Sequence, residues 1–213
     1  MHRLNRGQAP LCLSKYQNGR NNWRDLTAED REEIWQALEA MQGIRCAYCE
    51  AGITQHRRHI EHFVQKGRNP RVTFQWANLF GSCNREDSCG KYKDHSASPY
   101  SDADLLKPDV DDPDDYLIFV HDGTIQPRKH LDAAQRKRAE ETLRVFNLDA
   151  EHGGLRERRR AATIGYLQTA EALWSLAEEF DDDEWQQLLD EELAAIADLP
   201  FATAIRHTLC RMS

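Results

Sequence analysis

The sequence predicts an α+β protein, mostly helical, whose short strands gather around a cysteine-rich segment. Three observations carry that prediction. Apolar residues recur at helical spacing from Thr27 onward and again beyond His130. Between Ile44 and Asp94 the text changes to short strand-like pieces, turns and four of the six cysteines. "YLIFVHDGTIQP" alternates about an Asp-Gly pair, the mark of a β-hairpin.

Residues 1–25 read as irregular or extended, with turn-forming "QNGRNN" ahead of Trp23. "DLTAEDREEIWQALEAMQG" reads as the first helix: Thr27 suits the N-cap, with Asp30 three residues on, and Gly43 suits the stop. Ile34, Trp35, Leu38 and Met41 form its core stripe. The acidic loop "HSASPYSDADLLKPDVDDPDDY", broken by three prolines, precedes the hairpin. Beyond it helices are expected over 131–147, 155–180 and 185–198, and a last one opens with Pro200. In the second of these, Leu167, Ala170, Leu173, Trp174, Ala177 and Phe180 share one apolar face, suited to a core or to a partner. The chain thus divides into 1–130, which holds the first helix and the clustered cysteines, and an acidic helical region, 131–213.

The chain has 213 residues, 40% hydrophobic and 30% charged, enough to bury a real core in an ordinary soluble composition. No stretch approaches the roughly 20 apolar residues of a membrane span, and "MHRLNRGQAPLCLSKYQ" lacks the apolar run of a signal peptide. A cytoplasmic location is therefore expected, without membrane contact, and there clustered cysteines bind metal more often than they form disulfides. The net charge of −8 is unevenly spread. Residues 1–100 carry 15 Lys and Arg against 11 Asp and Glu; the remainder carries 13 against 25. That asymmetry suits a local nucleic-acid site joined to a region with another task, or simply an acidic solvated helical surface.

Cys46 and Cys49 form C-x-x-C, and Cys83 and Cys89 follow as a second, wider pair. Two such pairs complete a tetrahedral zinc site, with Zn–S bonds of about 2.3 Å, that can fold a segment short of apolar surface. A redox role for the first pair fits poorly, since no thioredoxin-like context surrounds it. Cys12 and Cys210 read as free thiols. Between the pairs stands "RRHIEHFVQK", residues 57–66, with Asn78 and Asn84 downstream. A carboxylate and an amide oxygen suit Mg²⁺, and a neutral imidazole beside them can take a proton from an attacking water. Arg57, Arg58, Lys91 and Lys93 are candidate phosphate contacts.

The pattern "CAYC…HIEH…WANLFGSCN…CGKYKD" resembles the HNH endonucleases, the ββα-metal nuclease group. The resemblance implies a zinc-stabilised ββα-metal core with a β-hairpin and a helical C-terminal region. It places Glu61 as a ligand of the catalytic Mg²⁺ or Mn²⁺, His62 as general base, Asn78 as the residue positioning the base-bearing strand, and Asn84 as the last ligand. His59 is a possible further ligand. The opening "MHRL", "YCE", "IEHF", "NLFGSCN", "CGKYKD", "DGTIQP" and "TLRVFNL" are similar to one branch, the PtuB-like proteins of Septu and retron-associated anti-phage systems, over residues 1–160. That branch implies a PtuA-like ATPase partner and, in retron loci, a reverse transcriptase with its DNA–RNA hybrid.

Three positions depart from the commoner HNH pattern. Glu61 replaces Asp, Gln65 stands where many motifs have Pro, and Phe80 occupies the usual third cysteine, which assigns Cys89 to the zinc set. Strict strand alternation also sets Glu61 and His62 on opposite faces, unless the strand ends or bulges there. The expected activity is phosphodiester hydrolysis with DNA favoured. The rivals are an RNA- or tRNA-cleaving toxin-like effector and a zinc module that binds nucleic acid or protein without catalysis.

Overall fold

The computed structural model describes residues 1–177 and 180–210. The chain is α+β, with seven α-helices and two small two-stranded sheets among those residues. Helix α1 spans Ala28–Gln42; the Thr27 side chain accepts from the Asp30 N–H, and Gly43, at φ 66°, closes the other end. Ile34, Leu38 and Met41 are buried as the periodicity predicts. Trp35 is only half-buried, because its ring lies under the Arg58 guanidinium, 4.1 Å away. The α1 stripe ends instead on buried Gln42, whose amide meets both the N–H and the C=O of Gly81 at 2.9 Å. A Cβ at Gly81 would stand 2.8 Å from Gln42 Nε2, so that position requires glycine.

Strand β1, Arg58–His62, pairs antiparallel with β2, Leu79–Cys83, in a register that sets His59 against Ser82 and Glu61 against Phe80. Helix α2, Cys89–His95, follows directly and packs on β2. The hairpin forms where the alternation predicts it, from β3, Leu117–Phe119, and β4, Ile125–Pro127. Gly123 holds φ +90° in its turn, and Asp122 Oδ1 accepts the Thr124 N–H.

Helix α3, Ala133–Val145, opens with a capping box of Asp132 and Gln135. The single long helix expected over 155–180 is instead two, α4, Leu155–Ile164, and α5, Leu167–Leu176. The break falls at Gly165 and Tyr166, where glycine weakens the helix and the Thr163 hydroxyl bonds the carbonyls of His121 and Arg160. Of the predicted apolar face, Ala170 and Leu173 are buried and Phe180 is exposed; residues 178 and 179 lie outside the described residues. Helix α6, Asp182–Ile196, and α7, Ala202–Leu209, complete the chain, with Phe201 at positive φ ahead of α7.

The main core runs from Met1 through Ala204 and contains the four clustered cysteines; a smaller one joins α5, α6 and α7. Buried Glu50, next to Cys49, ties the two ends of the chain together. Its carboxylate accepts from the Thr203 N–H and hydroxyl at the start of α7 and pairs with the Met1 amine. Among the described residues no helix is long and apolar enough to cross a membrane.

Candidate functional site

Cys46, Cys49, Cys83 and Cys89 are all buried, and their sulfurs lie within 4.8 Å of one another. The first two sit in a turn closed by the Glu50 N–H on the Cys46 carbonyl, with Glu50 at φ 62°. Cys83 ends β2, and Cys89 begins α2 at φ 61°, its N–H donating to the Phe146 carbonyl at 2.7 Å. Burial opposes a thiolate at Cys46, but hydrogen bonds from the other three outweigh it and hold its thiol well below the ordinary value. Four buried sulfurs this close together form a site that could hold a metal such as zinc.

Strand β1 places a second cluster 12 to 16 residues downstream of Cys46. His59 and Glu61 share one face, as residues two apart must. His59 bridges two groups: Nε2 lies 3.0 Å from Glu61 Oε2, and Nδ1 lies 3.0 Å from Asn84 Oδ1. Burial pushes the Glu61 carboxyl up, but His59 and Lys93 beside it outweigh that and hold it below the usual range. Burial likewise disfavours the His59 cation, and Glu61 and Asn84 reverse the effect, raising its pKa. Lys93 Nζ stands 2.8 Å from Glu61 Oε1 and donates to the carbonyls of His62 and Phe63. Glu61 fits this space because α2 presents Gly90 to it; a Cβ there would overlap the carboxylate.

His62 ends the strand with its ring buried. The ring meets Trp23 edge-on, centroids 4.4 Å apart, and Nε2 lies 3.1 Å from the Thr73 carbonyl. A carbonyl only accepts, so Nε2 carries the proton and Nδ1 of the neutral ring keeps its lone pair. Burial, reinforced by the Lys66 charge, lowers the His62 pKa to about 4, so the ring is neutral at pH 7. Glu61 and His62 nonetheless line the same cavity of about 200 Å³, together with His59, Lys66, Lys91 and Asp94. Alternation alone would separate them; the end of the strand at His62 brings them to one opening.

Asn78 does not reach that cavity. Its Oδ1 accepts from Val64 N, and its Nδ2 donates to the carbonyls of Val64 and Val72, stitching the exit of β1 to the loop before β2. The four cationic residues singled out in the sequence part company. Arg57 is exposed, and Lys91 is half-exposed and paired with Glu86. Arg58 is turned inward against Trp35 and Glu39. Lys93 is a correction: read from sequence as a phosphate contact, it has no solvent-exposed side chain and is committed to Glu61 and the β1 carbonyls. Its position four residues after the buried Cys89 was the available signal, since that spacing repeats one helix face. Trp23 and Thr73, the two neighbours that hold the His62 ring, lie outside every motif.

Glu61 and Asn84 offer oxygens, and buried Glu61 Oε1 already faces the Lys93 ammonium at 2.8 Å. These residues fit a hard cation. Because His59 bridges the two oxygens, binding of a cation to both requires its ring to give up at least one contact.

No family model matches the chain. It is 28% identical over 112 residues to the Septu protein PtuB of Bacillus thuringiensis, a match covering 52% of this chain. The match takes in 39% of that relative, so the chain spans well under half its length. This distant similarity supports kinship with the Septu proteins, the branch that the motifs around Glu61 and His62 resemble.

Proposed function

We propose that the chain is a metal-dependent HNH-type endonuclease that hydrolyses phosphodiester bonds, DNA favoured, as the effector of an anti-phage system. The observation that carries this reading is the convergence of Glu61 and His62 on one small cavity, with Asn84 held to Glu61 through His59. Kinship with PtuB supports the defence setting and a PtuA-like ATPase as partner. The acidic helices of 131–213 are the surface proposed to dock that partner and to repel nucleic acid from the wrong face.

In this reading His62 is the general base. Thr73 fixes its tautomer, Trp23 fixes its plane, and Nδ1 takes the proton of the attacking water. Glu61 and Asn84 would hold a divalent cation, which when bound supplies charge stabilisation to the phosphate and the departing oxygen. Asn78 keeps the exit of β1 in place, so that His62 cannot swing away from Glu61. The four cysteines would hold zinc and with it the relative placement of β2 and α2.

The test is cleavage of plasmid DNA and of RNA with Mg²⁺ or Mn²⁺, with and without the ATPase. His62→Ala should keep its fold and its zinc and lose cleavage by at least about a hundredfold, the usual contribution of a general base. Unchanged cleavage would remove His62 from the mechanism and favour a zinc module that only binds.

A further inference from the structure

Beside the residues that hold the His62 ring lies a second depression that the proposed chemistry leaves unused. It holds about 580 Å³, and Trp23, Arg24, Lys66 and Thr73 are among its walls. That volume is within the range of about 300–1,000 Å³ typical of small-ligand sites. Three features join it to the first cavity. Lys66 lines both. Thr73 supplies the carbonyl that holds His62 Nε2, and Trp23 meets the His62 ring edge-on. The second space is therefore lined by residues that hold the proposed base and shares Lys66 with the first.

The chemistry of the walls is specific. Arg24 and Lys66 are exposed, and neither side chain makes a hydrogen bond or an ion pair among the described residues. Most other cations of the site are spent: Lys93 on Glu61, Lys91 on Glu86, Arg58 on Glu39. The half-buried Trp23 indole packs on Phe74, 5.7 Å away, and the Arg31 guanidinium lies over its ring at 5.9 Å, where a base would join or displace it. One carboxylate, Asp25, is in the lining, and it accepts from the Asn22 N–H at 2.8 Å. Two free cations beside that indole match a ligand with an anionic backbone and a flat base. A base reaches an indole face only when it has left the stack of a duplex.

We propose that this groove seats the nucleotide next to the scissile phosphate of a single-stranded stretch of nucleic acid, its phosphate at Arg24 and Lys66 and its base against Trp23. The proposal rests on the nuclease reading above. It makes the loop before α1, outside every nuclease motif, the part of the chain that selects unpaired substrate.

The experiment is fluorescence anisotropy of the full chain with a labelled six-nucleotide single strand, deoxyribose and ribose versions in parallel, without added divalent cation. The Arg24→Glu, Lys66→Glu double variant should weaken binding at least tenfold. Arg158→Glu, an exposed cation on α4, should change it less than twofold. The wild type should also prefer the oligonucleotide at least tenfold over a polyphosphate of equal charge. Equal losses in both variants, no loss in the double variant, or no preference over polyphosphate overturns the groove. Absence of any oligonucleotide binding by the wild type overturns it as well. Intact binding without cleavage by the wild type sinks the nuclease reading instead, so the two failures are told apart. The deoxyribose and ribose arms show which polymer the groove takes.

Discussion

Lys93 Nζ lies 2.8 Å from Glu61 Oε1, with both side chains shut almost wholly from solvent. A lysine under a carboxylate in the interior is expensive to desolvate, and burial does oppose its charge; Glu61 and Asp94 reverse that and raise its pKa. The pair thus survives as ions because each partner is held by further contacts. The ammonium also grips the carbonyls of His62 and Phe63, so a single cation fixes both the carboxylate and the end of β1.

Lys93→Met should therefore destabilise the chain by about 3–5 kcal/mol, the loss expected when one member of a buried pair is removed. Glu61→Gln should also destabilise it, and the double variant should be milder than the sum of the two by at least about 1 kcal/mol. Urea denaturation of the four proteins measures the cycle. Strict additivity would mean that the two side chains do not interact.

Gly90 offers a sharper perturbation of the same carboxylate. A methyl group there would collide with Glu61, while Gly90 itself lies within α2, where alanine is the better helix former. Gly90→Ala should thus lower cleavage at least about tenfold by displacing Glu61, a 1 Å misplacement being enough. Its zinc content should remain that of the wild type. Full activity in the alanine variant would show that the position of Glu61 does not matter.

Much of this site was legible as types and spacing, and the part that was not is a matter of faces. The C-x-x-C turn, the second cysteine pair, the Thr27 cap and the Asp122-Gly123 hairpin are local devices, and each stands where the text places it. Alternation correctly set His59 with Glu61 but could not say that β1 stops at His62 and opens both residues to one cavity. Lys93 reads as an ordinary surface lysine until tertiary packing turns α2 inward. The break at Gly165 was missed for a related reason: the apolar stripe continues across it, and only the Thr163 hydroxyl bonds and the placement of α7 show two helices.

Removal of the cysteine set should be felt beyond the sulfurs. The purified chain should contain about one zinc, and Cys46→Ser should lose it. The four thiols lie inside the main core beside Tyr48, which stacks on Phe146 with centroids 4.2 Å apart. Chelation should accordingly lower the melting temperature and expose that aromatic cluster, read as a change in near-ultraviolet circular dichroism. A chain that keeps its melting temperature after full metal removal would reduce the cluster to four packed thiols.

The hairpin carries a pH-sensitive joint remote from the cysteines and from Glu61. His207 of α7 accepts the Phe119 N–H at Nδ1, 3.0 Å away, and its Nε2 lies 3.1 Å from Asp114 Oδ1. Accepting the Phe119 N–H requires Nδ1 to be unprotonated, while Nε2–H donates to Asp114. The two together fix the neutral ring with its proton on Nε2, and protonation breaks the first contact. Arg206 and Arg128 also face it, and Arg206 pairs with Asp114. Burial lowers the His207 pKa from its ordinary 6.5, and Asp114 only partly opposes this. The unfolded chain therefore takes up the proton first as pH falls below about 6.5. Stability from this contact is complete above that value and is lost as pH falls through the lowered folded value. Asp114, also lowered, loses its own contribution at more acidic pH. Hydrogen exchange at the Phe119 amide, corrected for the intrinsic rate, should lose protection between pH 7.5 and the acid range, and His207→Gln should remove that dependence. Protection that stays constant with pH, or a dependence that persists in the glutamine variant, would show that another group controls the hairpin.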